Sequence, residues 1–389
     1  MNITSNKNWL LLPLFLGALS LNAQENISSK ETLFKRYLNS VLKETSDPSA
    51  PKLINYPTLA YSPETNWEFG VSSLYVYSAK RNLKNRLSEI KAFTFFTLEN
   101  QYGLWLDHAV YTKKNKWFLY GRARYQSFPL LYFGIGPDSP SEYLSRIDGQ
   151  YILLRERLLR ETFPSLYIGL ELDYQRLNNV KYVDQSLGSS PPSIGSYGSS
   201  NLGLGLGVLY DNIHNALNPR KGIYSEWAFL KYSQTLGSDF NMTSYIIDNR
   251  IYKPIKKNTV LAFQLYGQFT LGNPPFNMLS LMGGESLMRG YYLGRYRDKH
   301  LIAGQVEYRI LPFDFSKRWG ASVFVAAGEV FSEDNIFQIN RLLPTGGFGV
   351  RYLVFPEKDI YTRIDISFTG EGRGVYSVSY THLTLPTSF

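Results

Sequence analysis

The residues best suited to chemistry lie in a glycine-rich stretch that precedes residue 301. The stretch contains Gly283-Gly284 and the triplet Arg289-Gly290-Tyr291, and Glu307 follows on the next alternating segment. Glycine permits a sharp fold-back that would bring Arg289 into the interior of the fold. A guanidinium enclosed there needs a carboxylate, so we predict an ion pair between Arg289 and Glu307. The alternative is that Arg289 fixes the loop and has no further role.

The sequence offers little for catalysis. It has no cysteine, and its histidines show no metal-ligand spacing: His108, His214, His300 and His382. The segment Gly284-Glu285-Ser286-Leu287-Met288 lacks the final glycine of a nucleophile elbow. The spaced glycines at 203, 205 and 207 lie in a strand pattern, which is not the setting of a dinucleotide-binding turn. We therefore predict that the protein is not an enzyme and uses no metal or cofactor.

The charge balance gives no indication of a nucleic-acid partner. Lys and Arg number 41 against 32 Asp and Glu, for a net charge of +9, but the basic residues are scattered and form no cluster. A mildly basic, solvated surface is the simpler interpretation, and it could also favour anionic lipid. The absence of cysteine is in keeping with an oxidising compartment.

The elements that must position these residues have a period of two. From Leu53 onward, several stretches carry one apolar and one polar face. The polar faces of three of them are Gln305, Glu307 and Arg309; Glu171 and Asp173; and Arg363, Asp365 and Ser367. The stretches run roughly nine to fourteen residues, close to the ~9 to 11 of a tilted membrane strand and longer than the ~5 or 6 of a soluble one.

Aromatic residues make 15% of the chain, which suits the girdles of a membrane barrel. An aromatic-rich soluble β-sandwich or solenoid is the alternative from composition alone. The mature chain has no apolar run of ~18 residues, which excludes a helical membrane protein. We predict an all-β fold, a single 16-stranded antiparallel transmembrane β-barrel over residues 53–380.

The predicted strands are 53–62, 67–77, 88–99, 102–111, 117–126, 149–160, 165–178, 200–211, 222–236, 241–254, 258–271, 301–311, 319–329, 342–354, 360–368 and 374–380. The leucine pairs between Gln150 and Glu161 would equally suit a helix. Connections at 112–116, 161–164, 253–257 and 355–359 are short, whereas those at 127–148, 179–199, 272–300 and 330–341 are long. In a barrel of this type, short turns face the periplasm and long loops face outward.

Two segments precede the barrel. Residues 1–23 have a basic start at Lys7, an apolar stretch and a small residue at Ala23, as in a signal peptide. Residues 24–52 contain an apolar stripe made by Leu33, Tyr37 and Val41, which predicts a short amphipathic periplasmic helix. The helix would either cap the barrel mouth or serve as a linker on the membrane surface.

Two motifs resemble the BamA/TamA-type superfamily of outer-membrane assembly and translocation barrels, also called the bacterial surface antigen family. The first is Arg289-Gly290-Tyr291 at the tip of the loop after the eleventh strand. The second is a periplasmic turn, in which Asp211-Asn212 is followed by Pro219 and Gly222. The resemblance covers residues 53 to 380. Ala326 stands where the family has a lumen-facing aspartate, so the family's arginine contact is only partly present.

The resemblance implies a protein of the outer membrane, surrounded by its lipid, that assists insertion or translocation of proteins. The alternatives are a passive pore and a structural or partner-binding barrel. Residues 24–52 are too few for one of the family's periplasmic POTRA domains, so a separate periplasmic partner would replace them. The tail 381–389 breaks the terminal strand pattern with Pro386 and is predicted to be artefactual.

Overall fold

A computed structural model describes residues 49–62, 66–82, 85–98, 100–127, 129–183, 191, 194–213, 215, 218–356 and 359–378. The predicted signal peptide, the predicted amphipathic helix and the tail 381–389 lie outside these residues. The described part of the chain is all-β and contains no α-helix. No helix in it is long and apolar enough to cross a membrane.

The strands, in chain order, are β1 Lys52–Ser62, β2 Asn66–Ser78, β3 Leu87–Thr97, β4 Tyr102–Tyr111, β5 Trp117–Ser127, β6 Leu130–Tyr132, β7 Ser145–Phe163, β8 Leu166–Val183, β9 Ser199–Asp211, β10 Gly222–Tyr232, β11 Met242–Lys256, β12 Thr259–Gly272, β13 Ser280–Met282, β14 Tyr296–Asp298, β15 His300–Ile310, β16 Trp319–Phe331, β17 Leu343–Phe355, β18 Ile360–Thr369 and β19 Gly372–Val378.

Strands that follow one another along the chain pair antiparallel. Pairing runs from β1 to β5, passes to β7, continues to β12, passes to β15 and ends at β19. The three-residue β6 pairs with β7 and completes a seventeen-stranded sheet. The remaining pair, β13 and β14, forms a separate two-stranded sheet inside the connection between β12 and β15. Such an up-and-down order follows from short turns between neighbouring strands.

The two faces of the large sheet have inverted polarity compared with a soluble protein. Charged side chains are buried, including Asp173 and Asp365, which are both 0% exposed. Apolar side chains of the same strands are exposed, such as Leu170 at 65% and Ile364 at 47%. A face of exposed leucine, isoleucine and phenylalanine in contact with water would be an aggregation liability. The alternation is therefore the one that suits hydrocarbon outside and polar groups within.

The predicted strand positions agree closely with the structure. The stretch between Gln150 and Glu161, which also suited a helix, lies within β7. Both β7 and β8 extend well past their predicted ends, to 19 and 18 residues. The predicted strand 222–236 ends at Tyr232, because residues 234–236 form a 3-10 turn closed at Gly237. The three-residue strands were not predicted, since so few residues show no period.

Candidate functional site

The connection 273–299 between β12 and β15, here called the arginine loop, folds back on itself. Its strands β13 and β14 pair, and the backbone N–H of Gly284 donates to the carbonyl of Tyr291 at 3.0 Å. Met282, Met288, Tyr291 and Tyr296 of the loop pack in one apolar cluster with buried side chains of the sheet. The loop thus lies against the charged, buried face of the sheet and not in solvent.

Arg289 at the tip of the arginine loop is 1% exposed and meets two carboxylates. Its Nη2 donates to Oε2 of Glu307 at 2.5 Å, and its Nη1 donates to Oδ2 of Asp365 at 2.8 Å. The guanidinium also lies 3.5 Å from the centre of the Phe324 ring, a cation–π contact. We call Arg289, Glu307 and Asp365 the arginine lock.

Three further arginines surround the same two carboxylates. Arg309 donates to Glu307 at 2.9 Å, and Arg351 lies between Glu307 and Asp365 at 3.4 Å and 2.5 Å. Arg363 approaches Asp365 at 3.7 Å. All of these side chains are buried. The arrangement holds four guanidinium groups around two carboxylates, so each carboxylate is shared by several cations.

Ala326, where the family resemblance places an aspartate, belongs to the apolar cluster under the loop. The second carboxylate comes instead from Asp365 on β18. The sequence places Asp365 on the polar face of its strand, but nothing in the sequence links it to Arg289. Because Asp365 pairs with Tyr376 across β18 and β19, the lock reaches the last hairpin of the sheet.

Gly290 and Tyr291 attach the loop tip to the last three strands. The N–H of Gly290 donates to the Tyr376 hydroxyl at 2.9 Å, and the Tyr291 hydroxyl donates to the Pro344 carbonyl at 3.1 Å. The Thr345 hydroxyl donates to the carbonyl of Arg289. Gly290 has a φ of 110°, and a Cβ added there would lie 2.6 Å from Cγ2 of Thr369. Glycine is therefore required at this position by both conformation and space.

A second ion pair joins the arginine loop to the β18–β19 turn. Arg295 donates from Nε to Oε2 of Glu371 at 2.8 Å and from Nη2 to Oε1 at 2.6 Å, a two-point contact. The Tyr296 hydroxyl donates to the same carboxylate at 2.5 Å. The loop therefore holds the last hairpin at its turn and, through Tyr376, along its length.

The predicted periplasmic turn motif lies between β9 and β10. The Asn212 side-chain oxygen accepts from the N–H of Ile223 at 2.7 Å, which closes the turn. Gly222 has a φ of 113°, and a Cβ there would lie 2.8 Å from Oδ1 of Asn212. Pro219 is buried. Asp211 pairs with Arg86 at 2.7 Å, in the connection between β2 and β3.

The same turn is tied to the β17–β18 turn by Arg220. Its Nε and Nη2 donate to the two oxygens of Asp359 at 2.7 and 2.8 Å, and its Nη1 donates to the Leu311 carbonyl at 2.7 Å. The hydrogen bonds to Asp359 raise the pKa of the Arg220 guanidinium, so this side chain stays charged. The two predicted motifs thus form separate sites, and the structure does not bring them together.

Sequence reasoning missed Asp365, Tyr376, Glu371 and Arg86. The signal for Asp365 was the polar face of its strand, which needed only the strand order to connect it to the loop. The alternation of residues 372–378 gave no signal for Tyr376. Glu371 and Arg86 lie outside the strands, where alternation gives no information. Over the described residues, no group of three or more histidine, aspartate or glutamate side chains is arranged to hold a metal ion.

Comparison with known protein families identifies the family to which the chain belongs. Residues 150–350 match the model of the Omp85 superfamily domain, which is about half of the chain. The chain belongs to the Omp85 superfamily. The matched part includes the turn motif and the arginine loop of this Omp85 chain, so the resemblance inferred from the two motifs is confirmed.

Two solved structures share the fold of this Omp85 chain. BamA from Haemophilus ducreyi lacking POTRA domains 1-3 is 13% identical, with a TM-score of 0.55, and the match covers 85% of this chain and 69% of that one. CdiB from Acinetobacter baumannii is 9% identical, with a TM-score of 0.51 and coverage of 84% and 58%. No curated protein sequence matches the chain. At these identities the likeness shows the fold alone.

Proposed function

We propose that the large sheet closes into a barrel of sixteen membrane-crossing strands in the bacterial outer membrane. The exposed apolar faces and the buried charges support this, because a barrel satisfies every backbone group in hydrocarbon. In this arrangement β6 is an extension within an outer loop and does not cross the membrane. The charged face lines the lumen, and the arginine loop occupies it.

Within that membrane, the protein assists the insertion or translocation of other proteins and has no enzymatic role. The observation that carries this proposal is the arginine lock, which joins the loop tip to the hairpin β18–β19. Strands β1 and β19 are the first and last of the sheet, so the seam of the proposed barrel lies between them. An incompletely paired strand edge can template an incoming strand. A loop that holds β19 from inside would control whether this edge is available.

The second candidate, a passive pore, rests on the polar lumen face. The ion pairs of this face argue against it, since Arg157 pairs with Glu171 at 3.0 Å and Arg155 pairs with Asp173 at 2.9 Å. Charges that neutralise each other in a buried network do not line an open water channel. The partner-binding alternative would instead show as a protein that co-purifies in fixed proportion, such as a periplasmic protein.

The test compares the outer-membrane and surface proteomes of wild-type cells, deletion cells and cells with Arg289→Ala. We expect the same small set of surface proteins to be lost in the deletion and in Arg289→Ala. Arg176→Ala, which removes an exposed arginine on β8, serves as the matched control and should leave the proteome unchanged. An identical proteome in all four strains would rule out assembly or export under the growth conditions used.

A further inference from the structure

The two ends of the large sheet differ sharply in exposed charge. At the end that carries the short turns, exposed basic side chains occur in two successive turns: Lys80 and Arg81 after β2, and Lys113, Lys114 and Lys116 after β4. Further exposed basic side chains lie in or next to the turns that follow β7, β9, β11 and β15: Arg160, Lys221, Lys253, Lys256, Lys257 and Lys317. Asp314 is the one exposed acidic residue among the described residues of these six turns.

The opposite end, which carries the long loops, has the reverse balance. Its exposed basic residues within the described ranges are Arg176, Lys181, Lys231 and Arg373. Its exposed acidic residues there are Asp138, Glu142, Asp239, Glu285, Glu333, Asp334 and Glu371. Among the described residues, the exposed positive charge is therefore concentrated at one end, which the composition alone did not reveal. We call the short-turn set of exposed Lys and Arg residues the basic rim.

Exposed aromatic residues lie at the same level as the basic rim. Phe315, in the turn between β15 and β16, is 86% exposed, and Phe163, at the end of β7, is 69% exposed. Trp117 and Trp319, the first residues of β5 and β16, are each 38% exposed, and the Arg160 guanidinium lies 5.7 Å from the centre of the Trp117 ring. Aromatic rings next to Lys and Arg at the edge of an apolar band are typical of a membrane–water interface.

From this arrangement, we propose that the basic rim binds the headgroups of anionic phospholipids in the leaflet that the short turns face. The spacing of the charges favours lipid over a protein partner. Six successive turns spaced by two strands each extend along roughly 50 Å of sheet edge. This length is several times the Debye length of ~8 Å at physiological salt, so the charges do not act together as one compact positive site. In the proposed barrel this edge becomes a ring, and a headgroup layer that surrounds the barrel meets the outward side chains along the whole ring.

The rim residues act as point charges on flexible stems, and Arg160 and Lys253 lie on the outward face of β7 and β11, at the edge of the apolar band. Each can extend toward a phosphate while its aliphatic stem covers apolar surface. The binding is therefore electrostatic and selects for net negative headgroups, without a defined pocket. It is independent of the arginine lock and of any role in protein insertion, and it rests only on the membrane location.

The experiment uses the full chain, purified in non-ionic detergent and offered equal amounts of phosphatidylglycerol and phosphatidylethanolamine. Native mass spectrometry counts the lipids that remain bound. We expect the wild-type protein to retain phosphatidylglycerol in excess. The variant K113Q/K114Q/K116Q/K253Q/K256Q/K257Q should lose most of this excess, at least about a twofold fall in the lipid ratio. The opposite-end variant R176Q/K181Q/K231Q/R373Q is the matched control and should retain the wild-type ratio.

An unchanged ratio in the rim variant, or an equal fall in the control, would overturn the proposal. The wild-type protein provides a second readout that needs no substitution. Its preference for phosphatidylglycerol should disappear at about 0.5 M salt, because exposed charges are screened there. A preference that survives high salt contradicts headgroup binding by the rim. An unchanged lipid ratio combined with cross-linking of an acidic protein to position 114 would assign the rim to that protein instead.

Discussion

At the arginine lock, two carboxylates are surrounded by four guanidinium groups, so negative charges are outnumbered by positive ones. Glu307 contacts Arg289, Arg309 and Arg351, whereas Asp365 contacts Arg289, Arg351 and Arg363. Loss of one carboxylate leaves four guanidinium groups around a single negative charge. Loss of Arg289 leaves three around two, which is a better balance. The lock should therefore tolerate loss of its arginine better than loss of either acid.

The corresponding prediction compares Asp365→Asn with Arg289→Gln. Asp365→Asn should lower the free energy of unfolding by about 3 kcal/mol, as expected for a buried cation left without its partner. Arg289→Gln should cost less than half of that. Reversible urea unfolding in phospholipid vesicles measures both. If Arg289→Gln is the more damaging change, the electrostatic account of the lock is wrong.

At Gly290, glycine avoids both an unfavourable φ and a steric clash, and a comparison with Gly237 can separate the two effects. Gly290→Ala adds a strained φ and a clash with Thr369, whereas Gly237→Ala adds a strained φ alone, because nothing lies within 4 Å of the added Cβ. We expect Gly237→Ala to cost about 1 kcal/mol and Gly290→Ala to cost clearly more. Thr369→Ser, which removes the clashing methyl, should restore part of the difference. Equal costs for the two glycine variants would mean that the loop tip moves aside freely.

Among the elements, the hairpin β18–β19 depends most on contacts outside its own strands. Its last strand has seven residues, and it is held by Tyr376 and Glu371 against the arginine loop. Tyr376→Phe removes one hydrogen bond, worth about 1 kcal/mol. Amide hydrogen exchange in 372–378 should therefore accelerate roughly fivefold. Tyr245→Phe, on the outer face of β11, is the control, and an equal acceleration there would contradict a specific role for Tyr376.

The turn motif between β9 and β10, at the end of the sheet that carries the short turns, also connects separate elements. Arg220 links the β9–β10 turn to Asp359 in the β17–β18 turn, which are far apart in the chain. A double-mutant cycle with Arg220→Gln and Asp359→Asn should give a coupling energy of about 1 kcal/mol, because both side chains are only partly exposed. A coupling near zero would show that the two turns are positioned by their strands alone.

The alternation of the strands allowed most of the fold to be predicted from the sequence. It gave the strand positions and placed Glu307, Asp365 and Arg363 on the polar faces. The contacts that the arginine loop makes outside the strands could not be predicted from the sequence, because they depend on how the loop folds back in space. The pairing of Arg295 with Glu371 joins two connections that show no period, and the choice of Asp365 over position 326 depends on how deeply the loop folds back. The separate short strands β13 and β14 escaped prediction for the same reason.

For the molecule as a whole, we expect the arginine loop to determine whether the proposed lumen conducts ions. The wild-type protein in planar bilayers should show little steady conductance. The variant R289Q/D365N, which removes both ends of one lock contact, should show larger and more frequent openings. The variant R220Q/D359N, which also removes an ion pair without a change in net charge, serves as the control. A large, steady wild-type conductance that is unaffected by R289Q/D365N would favour the passive pore.

The arginine lock also bears on the order in which this protein folds. Arg289 and Asp365 are 76 residues apart, and Gly290 and Tyr376 are 86 apart, so each contact closes a long segment of chain. The entropic cost of closing these segments falls once the strands between them have paired, so we expect the loop to dock after β15, β16 and β17 are in place. A chain truncated before residue 365 should therefore keep its loop unanchored. In the complete chain, we expect loop docking and completion of the terminal hairpin to be one joint, late step of folding.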